Sequence, residues 1–244
     1  MFPVREVFML SALIMAVLCS GVIFQDDFND GNAEGWHEVG PSNFQVSDGW
    51  YHFWGGGAVN DATSFRADQG ETMSTENYVI THDVKIDVGT FGGCMVRYRE
   101  EGEYNIMLVL GLPQQKLLLY RWYWNSIELV DSQPFQVEEN VSYTVCFQCS
   151  GETFSGKAWE TGSPEPGQWM VTAQDTLSAS GAAALFTAGV FSKDTDVSMS
   201  CYFDNVTVED AEPSEFSQRT WAGIKLNLQL STPLQKGRQQ RLPD

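Results

Sequence analysis

Between residues 22 and 210 the sequence alternates. Apolar side chains recur every second residue over short runs, and the three-to-four-residue spacing of an amphipathic helix is almost absent. A period of two puts successive side chains on opposite faces of an extended chain, so these runs predict half-buried β-strands. In "YVITHDVKIDV", Val84, Ile86 and Val88 alternate with Asp83, Lys85 and Asp87. "NFQVSDGWYHFW" passes through Phe44 and Val46, meets Asp48-Gly49, and resumes with Tyr51 and Phe53. An Asp-Gly pair between alternating runs predicts a tight hairpin. "GGCMVRYREEGEYNIMLVLGL" reads as two strands around a polar turn at Glu100 to Glu103, and "KLLLYRWYW" and "SIELVDSQPF" as two more. "VSYTVCFQCSGETFSGKAWE" is a further pair, and "GAAALFTAGV" and "MSCYFDNVTVED" close the series. About a dozen strands with no helical crossover predict an all-β antiparallel sandwich or barrel.

The segments outside this region differ in composition. Residues 1–21 open with Arg5, continue through the apolar stretch Val7 to Leu18, and end on Cys19, Ser20 and Gly21. That order predicts a cleaved secretory signal, with no transmembrane helix left in the mature chain. The run "AVLCS" alternatively offers Cys19 as a lipoprotein attachment site. Residues 22–210 form the predicted sandwich, and 211–244 a linker followed by a basic, disordered tail. Residues 22–215 hold 30 acidic and 8 basic side chains, whereas residues 216–244 hold five basic and one acidic. A net charge of −18 opposes binding to nucleic acid or to an anionic membrane surface.

Four cysteines remain after the signal: Cys94, Cys146, Cys149 and Cys201. In an exported protein they permit two disulfides, in three connectivities, or four buried thiols. "CFQC" has no second Cys or His pair beside it, which disfavours a zinc or redox centre. The three histidines, His37, His52 and His82, stand in no metal-binding spacing, and neither a nucleophile elbow nor a phosphate loop is present.

The order of motifs carries a resemblance. "DDFNDGNAEGW", "FQVSDGWYHF", "NYVITHDVKI", "GGCMVRYREEGEYNIMLVL", "KLLLYRW", "VSYTVCFQCSGETFSGKAW", "LSASGAAALFTAGV" and "YFDNVTV" follow one another across residues 24–210. Together they resemble the concanavalin A-like lectin/glucanase superfamily, in particular LamG-like modules of exported bacterial proteins. The resemblance implies a jelly-roll of two curved antiparallel sheets, with a concave sheet facing the sugar in members that bind one. It also implies that the first strand, "QDDF", pairs with the last, "CYFDNVTV". That pairing would bring Asp26 or Asp27 near Asp204, where carboxylates and loop carbonyls could hold a structural Ca2+. The other reading of "NDGNAEGW" is an Asx-rich turn with a solvated acidic face. Glycanases of this superfamily carry an E-x-D-x-x-E strand. No strand here has it, since Asp83 and Asp87 flank Lys85, and Glu100, Glu101 and Glu103 fall in a turn.

Sugar sites combine aromatic platforms with planar polar groups. "GWYHFWGGG" places Trp50, His52 and Trp54 on one face, and "YRWYWN" is the densest aromatic cluster. Arg97 and Arg121 project from predicted strands and want an anionic or hydroxyl-rich partner. The predicted ligand patch is Trp54, Arg97, Tyr104, Arg121 and Trp124. The expected function is an exported, non-catalytic carbohydrate-binding or adhesion module with a glycan or cell-surface polysaccharide as partner. The alternatives are a structural or protein-interaction domain of the cell envelope, and a glycan-active hydrolase or lyase of a related jelly-roll family. The tail motif "TWAGIK" resembles the Thr-Trp-Gly-x-Ile-Lys endings of some exported bacterial proteins, with Ala222 in the glycine position.

Overall fold

The computed structural model describes residues 21–40, 42–56, 61–66, 76–99, 104–123, 126–176, 180–189 and 199–211. Among them fifteen strands form and no helix. The first five are β1 (Val22–Asp26), β2 (Trp36–Val39), β3 (Asn43–Ser47), β4 (Trp50–Gly55) and β5 (Asp61–Arg66). Then come β6 (Tyr78–Val88), β7 (Phe91–Tyr98), β8 (Tyr104–Gly111), β9 (Lys116–Tyr123) and β10 (Ser126–Pro134). The last five are β11 (Ser142–Ser150), β12 (Thr153–Glu160), β13 (Val171–Gln174), β14 (Ala182–Ala188) and β15 (Met199–Asp210).

They build two antiparallel sheets: a sandwich, one of the two architectures that the alternation predicts, and the jelly-roll that the resemblance implies. One has eight strands in the order β13-β12-β11-β6-β15-β4-β3, with β1 also paired to β15. The other has seven, in the order β10-β9-β8-β7-β14-β5-β2. β1 does lie against β15, Asp26 opposite Val206. Asp48 and Gly49 take φ of 53° and 76° between Ser47 and Trp50, as the predicted two-residue hairpin requires.

The core lies between the sheets. Tyr51, Phe53, Val84, Ile86, Phe147 and Phe203 from one sheet meet Ile106, Leu108, Leu110, Leu117 and Leu119 from the other, all essentially without solvent contact. At Gly92 the sheets approach so closely that a Cβ would stand 2.8 Å from Cys201 Sγ and 2.9 Å from Ile86 Cγ1. The four cysteines of the sandwich are buried free thiols, so no disulfide staples the layers. Burial pushes the Cys149 thiol up to about 11 and that of Cys201 to about 12, which keeps both protonated.

One core position is a histidine. His82 on β6 is fully buried, its ring 5.7 Å from that of Phe203, and its Nε2 has no hydrogen-bond partner among the described residues. Burial lowers its pKa to about 4 from an ordinary 6.5. Between those two values the unfolded chain binds a proton that the folded one refuses. The contribution to stability is therefore complete above pH 6.5 and is lost as the pH falls toward 4. His82 is expected to account for roughly 3 kcal/mol of the loss between pH 7 and pH 4. Urea unfolding of His82→Leu at both pH values checks this: the variant should lose that much less than the natural protein. Equal losses would contradict it.

Candidate functional site

The outer face of the eight-stranded sheet carries a row of rings. Tyr51, Phe53, Phe203, Val84 and Ile86 point inward, so the residues between them point out. Register then sets Tyr202 opposite both His52 and Lys85, and Ser200 opposite Trp54. The His52 ring is sandwiched. It stacks on Trp54 at 4.6 Å with a 21° interplanar angle, and on Tyr202 at 4.1 Å and 4°. Its Nε2 lies 2.9 Å from Ser200 Oγ. Burial lowers the imidazole pKa, against the opposing pull of Asp87, which favours the neutral ring in the stack.

Lys85 completes the row. Its Nζ lies 4.5 Å from the Tyr202 ring centroid and 4.7 Å from that of Trp50. Among the described residues it forms no ion pair and donates no side-chain hydrogen bond. An ammonium group held over two π faces keeps its three N–H donors for something else.

Beside this row the face turns acidic. Asp83 and Asp204 are cross-strand partners. Asp83 Oδ1 accepts from Thr144 Oγ1 at 2.5 Å, and its Oδ2 from Asn205 Nδ2 at 2.9 Å. Asn205 also donates to Asp204 Oδ2 at 3.2 Å, and its φ of 51° marks the place where the β6–β15 register slips. Partial burial pushes the Asp204 carboxyl up to about 6, helped by the carboxylates of Asp83, Asp27 and Asp26.

The "QDDFNDGNAEGW" stretch is a ladder of Asx turns. The carboxylates of Asp26, Asp27 and Asp30 accept from the N–H groups of Phe28, Asn29 and Asn32. Asn32 Oδ1 accepts from Glu34 N–H. Asp26 Oδ2 also receives the Trp36 indole N–H at 2.8 Å. Asp26 and Asp27 line an open groove of about 430 Å³ with Gln25, Asp30, Asn205, Val206 and Thr207. Calcium takes six to eight oxygen ligands. Both oxygens of Asp26 hold hydrogen bonds, and among the described residues no three His, Cys, Asp or Glu side chains are grouped as metal ligands; carbonyl and amide oxygens are a separate source of ligands for such an ion.

The predicted ligand residues do not form one patch, although Tyr104 and Arg121 meet at Asp175. Trp54 is on the outer face just described, and Trp124 lies outside the described residues. Arg97, Tyr104 and Arg121 instead enter the gap between the sheets, which corrects the expectation that the arginines stand on an open face. Arg97 is 2% exposed, has φ of 55° beside a slip in the β7–β14 register, and donates through Nη2 to the carbonyls of Glu76 and Gly151. Its guanidinium lies 4.8 Å from the Phe154 ring centroid. Arg121 Nε stands 2.5 Å from Asp175 Oδ2, and Nη1 donates to Glu128 Oε2 at 3.1 Å. Asp175 is 6% exposed. Burial raises the Tyr104 hydroxyl pKa, and the neighbouring Asp175 adds to the effect. Sequence reasoning missed Tyr202 and Lys85. Alternation showed Lys85 on a polar face, but the register that brings it to Tyr202 and Trp50 is not local information.

No protein-family model matches the chain, and no curated protein does. Solved structures do. A carbohydrate-binding module, CBM66 from Bacillus subtilis, superposes with a TM-score of 0.58 at 14% identity, over 73% of this chain and 98% of the module. A xylan β-1,4-xylosidase from Bacillus halodurans C-125 gives 0.56 at 12% identity, over 76% of this chain. This chain spans 39% of that enzyme. The CBM2 module of the evolved Dit of Lactobacillus casei BL23 phage J-1 gives 0.50 at 10% identity, over 79% of this chain and 97% of the module. Identities this low establish the shared sandwich fold.

The Arg121–Asp175 pair makes a direct prediction. Arg121→Ala removes the guanidinium beside a buried carboxylate and is expected to lower the unfolding free energy by about 3 kcal/mol. The double variant Arg121→Ala/Asp175→Ala should lose clearly less than the sum of the single losses. Chemical denaturation of the three variants measures it, and strictly additive losses would contradict the pairing.

Proposed function

We propose that this chain is an exported, non-catalytic carbohydrate-binding module of the concanavalin A-like, LamG type, and that its glycan lies on the outer face of the eight-stranded sheet. The observation that carries the reading is the Trp54–His52–Tyr202 stack with Lys85 beside it. A pyranose has an apolar face that rests on such rings, while its hydroxyls need donors in fixed positions. Lys85 supplies donors, and Gln45 and Asn43, opposite His52 and Trp54 on β3, are exposed and able to donate and accept. Support also comes from two structural neighbours whose names describe carbohydrate-binding modules. The signal-like N-terminus supports export; residues 1–20 lie outside the described residues.

The test is a glycan-array screen followed by calorimetric titration of the best hit. Trp54→Ala and Tyr202→Ala should each weaken binding by about tenfold or more, the effect of removing an aromatic platform of ~1.5 kcal/mol. Lys85→Met should weaken it while leaving the melting temperature nearly unchanged. A hit whose affinity survives all three substitutions would place the site elsewhere.

One observation favours a second reading, a glycan-active enzyme. Asp204 and Asp83 face each other across two strands beside the ring stack, and a carboxyl pushed up to about 6 is suited to donate a proton. If this reading holds, the glycan found by the array is cleaved, with release of reducing ends or of unsaturated sugars. Asp204→Asn would then abolish cleavage while leaving binding intact. An intact glycan after prolonged incubation counts against it.

A further inference from the structure

The ring row of β4, β15 and β6 continues across the eight-stranded sheet toward β12. Asp204 on β15 pairs with Asp83 on β6, Asp83 with Thr144 on β11, and Thr144 with Trp159 on β12. All four share the outer face. Their strand neighbours Phe203, Val84, Tyr143, Val145 and Ala158 are buried in the core, and a Cβ on Gly156 would stand 2.6 Å from Leu108 of the opposite sheet. At the other end, Trp50 precedes Tyr51, the partner of Phe203, and Asp204 follows Phe203, so Trp50 stands beside Asp204. A tryptophan therefore ends the row on β4 and another ends it on β12, both half-buried. The row crosses five strands, which at the usual strand separation is about 19 Å, too long for one sugar ring.

Between the tryptophans the row is polar and held in place. Thr144 Oγ1 and Thr161 Oγ1 both donate to Asp83 Oδ1, at 2.5 and 3.3 Å, and Ser142 Oγ lies 3.0 Å from Thr161 Oγ1. Asn205 Nδ2 bridges Asp83 and Asp204. A carboxylate has about four acceptor positions. The hydrogen bonds that Asp204 accepts among the described residues both come from Asn205, and the residue is half-buried, so positions remain for hydroxyl groups. Asp83, Asp87 and Asp204 surround Lys85 on this face, a balance that repels uronates and sulfates and admits neutral sugars. On one side the next row is closed. Lys157, two residues before Trp159, pairs with Glu165 at 2.5 Å, donates to Pro166 O at 3.0 Å and lies 4.8 Å from the Trp169 ring centroid. Cys146, opposite Lys157, is 6% exposed. The 161–170 loop thus forms a wall beside the row.

We propose that the row from Trp50 to Trp159 is one extended binding surface for a neutral oligosaccharide lying across the strands, with Trp159 as a second stacking platform beyond the Trp54–His52–Tyr202 rings. This rests on the glycan reading and adds to it the direction of the chain, its length and its charge class. A sugar ring on Trp159 sets the next rings of the chain over Thr144 and the Asp83–Asp204 pair, where their hydroxyls donate to Asp204.

Calorimetric titration with the cello-, xylo-, laminari- and malto-oligosaccharide series, from di- to hexasaccharide, tests it, together with a glycan array that holds neutral, uronate-bearing and sulfated chains; fragments of any other neutral hit are titrated in the same way. In the series that binds, the hexasaccharide is expected to bind about tenfold more tightly than the disaccharide, the contribution of one added platform. Trp159→Ala should bring the hexasaccharide down to the affinity of the disaccharide. It should leave the disaccharide's own affinity unchanged, which also shows that the variant is folded. An affinity that stops rising at the disaccharide, a hexasaccharide indifferent to Trp159→Ala, or an equal loss at every length overturns the proposal and leaves the glycan reading standing. Hits confined to uronate-bearing or sulfated chains overturn it as well. Binding of no sugar at all overturns the glycan reading itself, and this proposal with it.

Discussion

The pairing of β15 with its neighbours decides what the eight-stranded sheet can present. β15 is the longest strand and is flanked by β6 on one side and by β4 and β1 in succession on the other. A slip of one residue would turn every side chain of this strand to the opposite face. The register is held because Cys201, Phe203, Val206 and Val208 fill the core completely. Those four buried positions fix the outward set, and Tyr202 and Ser200 come to His52 and Trp54 as a consequence. The ring stack is thus a by-product of core packing, held at no separate cost in backbone order.

Carboxylates are managed in the same way, by geometry more than by ion pairs. A chain with 32 acidic and 14 basic residues cannot pair most of its carboxylates with cations. The "QDDFNDGNAEGW" loop spends its acids on backbone N–H groups two residues ahead, which fixes the turn and disposes of the charge together. Asp83 is satisfied by two threonines and an asparagine. Where the acids do crowd, at Asp204, the response is a raised pKa. Across these strands the cations go to other work: Arg97 and Arg121 hold the layers together, and Lys85 lies on rings.

The fold was largely legible because its period is local. Every described strand of the sandwich that was read from alternation forms, and the Asp48-Gly49 hairpin falls where the dipeptide placed it. Alternation was weakest where both faces are buried. "NIMLVLG" on β8 runs without a polar break after Asn105, since Met107 and Val109 are as buried as Ile106 and Leu108. The site was legible by halves. Alternation put Trp50, His52 and Trp54 on one face, and they share it. It could not say which face of β7 or β9 was the inside, because Arg97 meets carbonyls of Glu76 and Gly151, and Arg121 meets Asp175, 54 positions later and just after β13 of the other sheet.

That failure has a physical source that applies beyond this chain. An arginine flanked by strand residues in an acidic protein reads as a hand held out to a ligand, because burying a guanidinium alone would be prohibitive. The cost disappears when the burial site is itself made of acceptors. Arg97 lands on two carbonyls that belong to sheet-end turns, with its plane over Phe154. Arg121 meets the buried carboxylate of Asp175. Lys85 is the converse case. It sits on a face of Asp83, Asp87 and Asp204, where sequence reasoning would have neutralised it. Its short reach to two rings leaves the ammonium without a carboxylate partner among the described residues. Which cation is free is therefore set by what the neighbouring strands place within a few ångströms, and strand order across the sheet carries more of the functional information than any run of residues within a strand.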